Sequence, residues 1–497
     1  MGSTVERLLR CPEGKTLEFK RDLSSPRNLL KTLVAFANTA GGILVLGLGD
    51  DRQILGITQP LDEEERLCSL IAGSIAPRLV PNIELVTVED KTLLLVEVFV
   101  SGQRPHWLKA EGPEQGVYVR LGSTNRQADR ELIAELRRSV EGPGFDEMPM
   151  PELSVADLDL EAAAGQLFGR ARALDEGQLL TLRLLCRYQG RLVPTKGAVL
   201  LFGKERLIHF PDAWVQCGRF FGTQRIDIFD HIDIDQPLPK AVDEILLFLK
   251  KHAFRGADLT EIRRKDLWSI PLSMLREVVI NALVHADYSQ RGAPVRVVFL
   301  DDRIEVENPG ILLPGLTLDD VKQGFSKIRN TVIARVFREL RLIEQWGTGV
   351  PRIFAEAAVL GLPEPRIEEI GMRVRFTIPL GALGQQLDAS MRMESGGESG
   401  GESGGESGGE SNMALRILRL LQSSPHSKAD IARVFGKAKP NRYLDDMMKS
   451  LLDREQAEYT LPDKPNSRLQ QYRLTRKGRA LLNQIPSQDA KKEIMGK

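Results

Sequence analysis

Glu277, Asn281 and His285 stand four residues apart in the stretch Leu275–Ser289, which reads LREVVINALVHADYS. On a helix they share one face with little drift, so a carboxylate, an amide and an imidazole form one stripe. Such a stripe suits Mg²⁺, which keeps several waters and needs only one or two protein oxygens when phosphate supplies the rest. Asn281 would give the metal its amide oxygen, and Glu277, one turn earlier, would orient or deprotonate an attacking water. The bland alternative is a polar helix face at a domain interface. A second cluster lies in Glu13-Gly-Lys-Thr-Leu-Glu18-Phe-Lys20-Arg21. If Leu17 and Phe19 face a core from a strand, Glu18 and Lys20 point away from it together. A carboxylate–lysine pair of that kind can contact phosphate or, with a metal, cleave it. On an exposed edge strand it would be only a surface ion pair.

These groups need elements to position them. After the Leu275–Ser289 stretch come an apolar strand at 295–300, a hairpin at Asp301-Asp302-Arg303 and a strand at 304–306 running into Glu307-Asn308-Pro309-Gly310. A strand that ends in glycine lets a base or ribose approach the backbone, with Asn308 or Glu307 placed to accept an exocyclic amine and Gly310 to leave room. A loop follows over 311–330, and Gly347-Thr348-Gly349 then opens another helix whose free N–H groups could hold phosphate. Near the N-terminus, Leu29, Leu30, Leu33, Phe36 and Ala37 fall at helical spacing, and strands are expected over 43–48 and 92–100.

At 497 residues the chain is too long for one core. It has 68 Lys plus Arg against 68 Asp plus Glu, so it is neither a basic coat nor an acidic tail as a whole. Cys11, Cys68, Cys186 and Cys217 form no CxxC pair, which argues against a disulfide framework or a zinc cluster. No apolar run approaches the roughly 20 residues that span a bilayer, and Glu6, Arg7, Arg10 and Glu13 interrupt any signal segment. A cytoplasmic protein without a membrane partner is expected. Residues 394–411 repeat ESGG and read as a solvated tether. Beyond it, residues 412–497 hold 18 Lys plus Arg against 9 Asp plus Glu, a net of +9 that leaves −9 for the rest of the neutral chain. A basic module on a tether points to a polyanionic partner. The prolines within 143–153 mark a softer boundary.

From about Gly190 to Leu380 the sequence resembles the divergent GHKL (HATPase-type) domain labelled RecG-like C-terminal. REVVINALVHADYS is similar to its N-box, VENPG to its first glycine box, GTGVPRIF to its second and GRLVPTKGAVLLFGKERL to its lead-in. The chain has no Walker A GxxxxGK[ST], so nothing supports a translocating motor. The resemblance implies ATP and Mg²⁺ as ligands, held by Asn281, His285, Asn308, Gly310, Gly347, Thr348 and Gly349. It makes 311–330 the ATP lid, with Lys327 and Arg329 near the phosphates. Over about 8–130 the chain resembles the Schlafen AlbA-type domain, through LEFKRD, FANTAGGILVLGLGDD and Tyr118-Val-Arg-Leu-Gly-Ser-Thr-Asn-Arg126. That resemblance implies binding of DNA or RNA, carried by Lys20, Arg21, Arg120 and Arg126. It also opens the alternative of an ATP-gated, metal-dependent nuclease, with anti-phage defence as one setting. Glu13, Glu18 and Asp50 or Asp51 would then be its carboxylates.

In the basic C-terminal segment, helices at 413–421 and 427–435, a reading helix at 443–454 and a basic hairpin around 462–468 resemble a winged helix. Arg442, Lys449, Lys464 and Arg468 would contact DNA. The expected fold is therefore multidomain α/β (α+β): a Schlafen/AlbA-like domain at 1–142, a GHKL Bergerat-type α/β sandwich at 154–385, a linker at 394–411 and a winged helix-turn-helix at 412–485. The expected function is an ATP-binding regulator of the transcriptional type, often homo-oligomeric as GHKL proteins are, whose nucleotide state controls nucleic-acid binding or assembly.

Overall fold

The computed structural model describes residues 7–168, 174–253, 255–258, 265–268, 270–343 and 349–380. In the C-terminal part it describes 417–434, 444, 448–449, 451–452, 455–462, 467 and 470–484. Two compact units are present, one comprising Met1–Arg219 with Asp230–Asp388, the other Phe220–Phe229 with Ala389–Lys497.

In the first unit, the strand Leu17–Lys20 pairs in parallel with Gly42–Leu46, Leu17 opposite Ile43 and Lys20 opposite Leu46. A parallel pair needs a crossover, and the helix Pro26–Asn38 provides it, burying Leu29, Leu30, Leu33, Phe36 and Ala37 as the helical spacing predicts. Lys91–Val98 adds antiparallel to Gly42–Leu46 and folds back on Asn82–Val88, closing a four-stranded sheet. The hairpin Tyr118–Leu121 with Thr124–Gln127 and the helix Arg130–Glu141 build a smaller core of Val117, Val119, Leu132, Ile133 and Leu136. Ile311 of the central region belongs to that same core.

The central region carries a six-stranded sheet in the order Ile228–Ile234, Val215–Phe220, Val295–Phe299, Arg303–Pro309, Arg373–Pro379, Arg366–Ile370. The hairpin expected at Asp301 joins Val295–Phe299 to Arg303–Pro309, Phe299 opposite Ile304 and Arg296 opposite Glu307. The helix Leu272–His285 buries Met274, Leu275, Val278, Val279, Ile280, Ala282, Leu283 and Val284. A helix so apolar on most sides must lie in a core, and its polar positions are Ser273, Arg276, Glu277, Asn281 and His285.

Asp146, in a short 3₁₀ turn on the strap between these regions, is fully buried. Its carboxylate accepts the backbone N–H groups of Thr331 (3.1 Å), Val332 (2.7 Å) and Ile333 (3.0 Å), the open donors at the start of the helix Thr331–Glu339. Burial pushes its carboxyl up to about 7, against the downward pull of the three donors. A folded pKa above the unfolded value stabilises at acid pH, and that contribution is lost as pH rises through about 7. Relative to wild type, Asp146→Asn should therefore be less stable at about pH 5 than at about pH 8, with a slope of up to about 1.4 kcal/mol per pH unit between the two titrations. Urea melts of both proteins check this; an offset independent of pH would place the carboxylate in its charged form throughout.

In the second unit the described residues include the helix Lys428–Val434 and a short antiparallel ladder, Ala457–Tyr459 on Tyr472–Leu474. The helix Arg476–Gln484 follows. Ile417, Leu418, Leu421, Ile431, Met448, Leu451 and Leu474 form its core. Val434, at the end of the helix Lys428–Val434, is 58% exposed. The ESGG repeat, Arg442, Lys464 and Arg468 lie outside the described residues, and Lys449 is exposed. Among the described residues no helix is long and apolar enough to cross a membrane.

Candidate functional site

Beside the Leu272–His285 helix is a cavity of about 200 Å³. Glu277, Asn281 and His285 line it from the helix, Asn308 from the end of the glycine-box strand, and Gly349 from the start of the helix Gly349–Val359. Leu312, Leu316, Phe325, Lys327 and Arg329 line it from the 311–330 segment. Gly347 and Thr348, assigned to phosphate, lie outside the described residues.

Asn281 Nδ2 donates to Glu277 Oε1 at 3.2 Å, as residues one helical turn apart can. Arg352 approaches the other carboxylate oxygen at 3.5 Å. Gly349 packs so tightly here that a Cβ would overlap Glu277 Oε1. His285 is pulled down to about 4, by desolvation first and then by the nearby Arg329 guanidinium, so its imidazole is neutral near pH 7. Asn308 is buried and donates to the carbonyls of Pro309 (3.2 Å) and His285 (3.4 Å). Gly310 takes φ +97°, and a Cβ there would meet Arg329 Nη1 at 2.8 Å. Its role is the sharp exit from the strand and a close approach to Arg329 rather than space for a base.

An amide and a carboxylate one turn apart fit a magnesium ion that takes its other ligands from phosphate and water. Among the described residues, no group of three or more His, Cys, Asp or Glu could hold a metal ion by itself. The cavity is smaller than the roughly 300–1,000 Å³ of typical ligand pockets. Apolar lid residues, Leu312, Leu316 and Phe325 among them, take up part of the space against the helix.

Arg329, expected near the phosphates, is committed elsewhere. It is 8% exposed and its guanidinium donates to Glu135 Oε1, the His285 carbonyl and the Ile311 carbonyl, each at 2.6 Å. Asn330 beside it donates to the carbonyls of Val284 (2.8 Å) and Ala286 (2.7 Å). Together they satisfy backbone carbonyls left open at the C-terminus of the Leu272–His285 helix. Lys327 is exposed and donates to the Pro314 carbonyl at 2.6 Å. Asn330 and Glu135 carried no local sequence signal, because their partners lie 46 and 194 residues away.

In the N-terminal domain, Leu17 and Phe19 face a core as expected, but Glu18 does not face solvent. Its face is closed by Arg120, which is fully buried and reaches across to Glu18, to the Gly14 carbonyl (3.1 Å) and to Asn125 Oδ1 (2.9 Å). Arg120 also lies 5.3 Å over the Phe36 ring. The assignment of Arg120 to nucleic acid is corrected accordingly: its five donors are turned into the domain. Glu18 also pairs with Lys20 at 2.5 Å, and Glu13 accepts the Phe19 N–H at 2.9 Å. Asp51 accepts the Gln53 N–H at 3.0 Å and Asp50 belongs to the same turn. The four acids form no metal-holding group among the described residues. Arg21 and Arg126 are exposed and Lys20 half-buried.

Comparison with known proteins gives three separate matches. Residues 13–129 match the family model described as Schlafen, AlbA_2. Residues 292–378 match "Putative ATP-dependent DNA helicase recG C-terminal". Residues 413–475 match "Filamentation induced by cAMP protein Fic-like, C-terminal domain". The last match overturns the winged helix-turn-helix expected at 412–485, and the transcriptional-regulator reading with it. A few short helices, a basic hairpin and a net positive charge occur in many small domains, so their order did not distinguish the two. No curated protein matches the chain. Among solved structures, the DIP2311 protein of Corynebacterium diphtheriae is 18% identical, with 97% of this chain and 98% of that chain covered and a TM-score of 0.41. The N-terminal domain of a RecG-related protein from Nitrosomonas europaea is 29% identical over 25% of this chain and 91% of that one, TM-score 0.21. A Fic family protein from Desulfovibrio desulfuricans is 14% identical over 71% and 77%, TM-score 0.13. Taken together, the matched domains suggest an ATP-binding protein that carries a nucleic-acid-associated Schlafen/AlbA module and a Fic-like module.

Proposed function

We propose that this chain binds ATP with Mg²⁺ against the Glu277–Asn281 face, and that nucleotide occupancy adjusts the grip of its Schlafen-like domain on DNA or RNA. One observation carries the reading: the lid is fastened to the N-terminal domain as well as to the nucleotide cavity. Ile311 sits in the core beside the Arg130–Glu141 helix, and the Gly315 N–H donates to the Thr39 carbonyl at 2.8 Å. The Leu312 N–H donates to Glu369 Oε1, whose carboxylate is paired with Lys15 at 2.6 Å. Arg329 at the far end holds Glu135. A triphosphate needs more room than the cavity offers, so its entry must push the lid outward, and the lid cannot move without disturbing its anchors near Thr39 and Lys15.

When bound, Mg²⁺–ATP would supply its own phosphate oxygens as most of the metal's ligands. Asn281 would add its amide oxygen, and Glu277 would hold a water in line for any hydrolysis. Lys20, Arg21 and Arg126 would contact phosphates of the nucleic acid, which sets affinity rather than sequence choice.

Titration calorimetry with Mg²⁺–ATP tests the site. Asn281→Ala should weaken binding about tenfold, roughly 1.4 kcal/mol for one lost ligand. Unchanged affinity would remove Asn281 from the site. The coupling is read separately, from the affinity of fluorescent single-stranded RNA and DNA with and without Mg²⁺–ATP. Identical affinities in both states would leave ATP binding without the control assigned to it.

A further inference from the structure

A second cavity, of about 290 Å³, lies between the N-terminal domain and the central region, apart from the Glu277–Asn281 face. Arg104 and Arg138 enter it from the N-terminal side, Lys327 and Arg329 from the lid. Glu135 neutralises Arg329. Among the described residues no carboxylate within ion-pair distance serves Arg104, Arg138 or Lys327. Arg138 is half-buried and held 5.5 Å over the Phe145 ring, while Lys196, also without a carboxylate partner, lies 4.3 Å from the same ring. Four cations, Arg104, Arg138, Lys327 and Arg329, line the cleft against two carboxylates, Glu135 and Asp287, and an anion among them would relieve the repulsion that this excess of positive charge leaves.

Polar atoms around the cleft narrow the choice of anion. Arg104 Nε, Thr331 Oγ1 and Asp287 Oδ2 are withdrawn from solvent and have no hydrogen-bond partner. Asp287 is 2% exposed, and its other oxygen already accepts from the Ser289 N–H (3.1 Å) and hydroxyl (2.5 Å). An open carboxylate oxygen repels a bare anion but accepts from a hydroxyl. The ligand that answers both demands carries phosphate at one end and hydroxyls at the other. The volume sits at the lower limit of ordinary ligand pockets, which suits a small ester rather than a triphosphate.

We infer that this interdomain cleft binds a phosphorylated sugar, free or at the end of a nucleic-acid strand, its phosphate on Arg104, Arg138 and Lys327 and a hydroxyl on Asp287. The site goes beyond the ATP reading and stands without it. Calorimetry of the full chain with ribose 5-phosphate should show one site per chain. Arg138→Ala should weaken it about tenfold and Arg138→Lys less, while Asn281→Ala leaves it unchanged. Inorganic phosphate should bind more weakly than the sugar phosphate. A short oligoribonucleotide bearing a 5′-phosphate, compared with its 5′-hydroxyl form, separates the two sources: an Arg138-dependent preference for the phosphorylated strand, with weak ribose 5-phosphate binding, assigns the site to strand ends. Arg138 lies on a half-exposed helix face, so its variants should fold, and an unchanged melting temperature verifies that. Failure of both probes to bind, or binding indifferent to Arg138→Ala and Arg104→Ala, would overturn the site. Equal affinity for inorganic phosphate would overturn the sugar.

Discussion

Replacing Arg329 with alanine should destabilise the first compact unit by about 3–5 kcal/mol, because it strands the Glu135 carboxylate in a dry interior. Both side chains are over 90% buried, and the pair spans 194 residues of sequence. Desolvation already raises the Glu135 pKa above the ordinary carboxylate value, with Arg329 holding it back. Without the guanidinium the folded pKa must rise further. A raised folded pKa means the native state holds the proton more tightly, so stability is greatest below the unfolded value near 4.3 and falls as pH increases. Arg329→Ala should therefore be penalised less at about pH 4.5 than at about pH 8, and the double variant with Glu135→Ala should recover part of the loss. Paired urea melts give both readings. A small loss, the same at every pH, would mean that Glu135 reaches water once its partner is gone. The two carbonyl contacts of Arg329 predict that Arg329→Lys rescues poorly, since a single ammonium cannot serve three acceptors in one plane.

Arg120→Ala should be comparably damaging, also about 3–5 kcal/mol, but confined to the N-terminal domain. The loss removes the bridge between Glu18, the Gly14 carbonyl and Asn125, and leaves Glu18 with Lys20 alone. Against a typical total of 5–15 kcal/mol, such a loss opens the domain locally before the rest of the unit melts. Hydrogen exchange at 17–20 and 118–127 should accelerate while exchange across 295–309 stays slow. Arg126→Ala makes the contrast: stability within about 0.5 kcal/mol of wild type, with nucleic-acid affinity reduced and its salt dependence shallower by about one unit. If Arg120→Ala stays folded and loses only nucleic-acid binding, the residue is a surface ligand after all.

Much of this architecture could be read from the residues, because periodicity reports which way a segment faces. Leu29, Leu33 and Phe36 announced their helix, and the apolar runs at 295–300 and 304–306 announced two neighbouring strands of the central sheet. Glu277 and Asn281 were legible for the same reason, since both belong to one helix and their spacing is their geometry. Arg120 and Arg329 were not. A cation that grips a phosphate and a cation that staples a core look alike in sequence, and only the distant acids Glu18 and Glu135 decide between them. Asn330 and Asp146 are hidden similarly, each satisfying the backbone of a helix it does not adjoin in the chain. The C-terminal fold was misjudged because short elements and charge carry too little pattern to separate one small domain from another.

The way Arg329 and Asn330 close the Leu272–His285 helix sets a rule for dividing the protein. The matched helicase-like family segment begins at residue 292, after that helix has ended, while the groups that finish the helix arrive only at 329 and 330. A shortened chain that keeps the helix but stops before 330 would expose a ragged carbonyl end and a large apolar flank together. Fragments meant to isolate the Glu277–Asn281 face must therefore be cut on the far side of Asn330, and any cut inside 311–328 severs a brace as well as a loop.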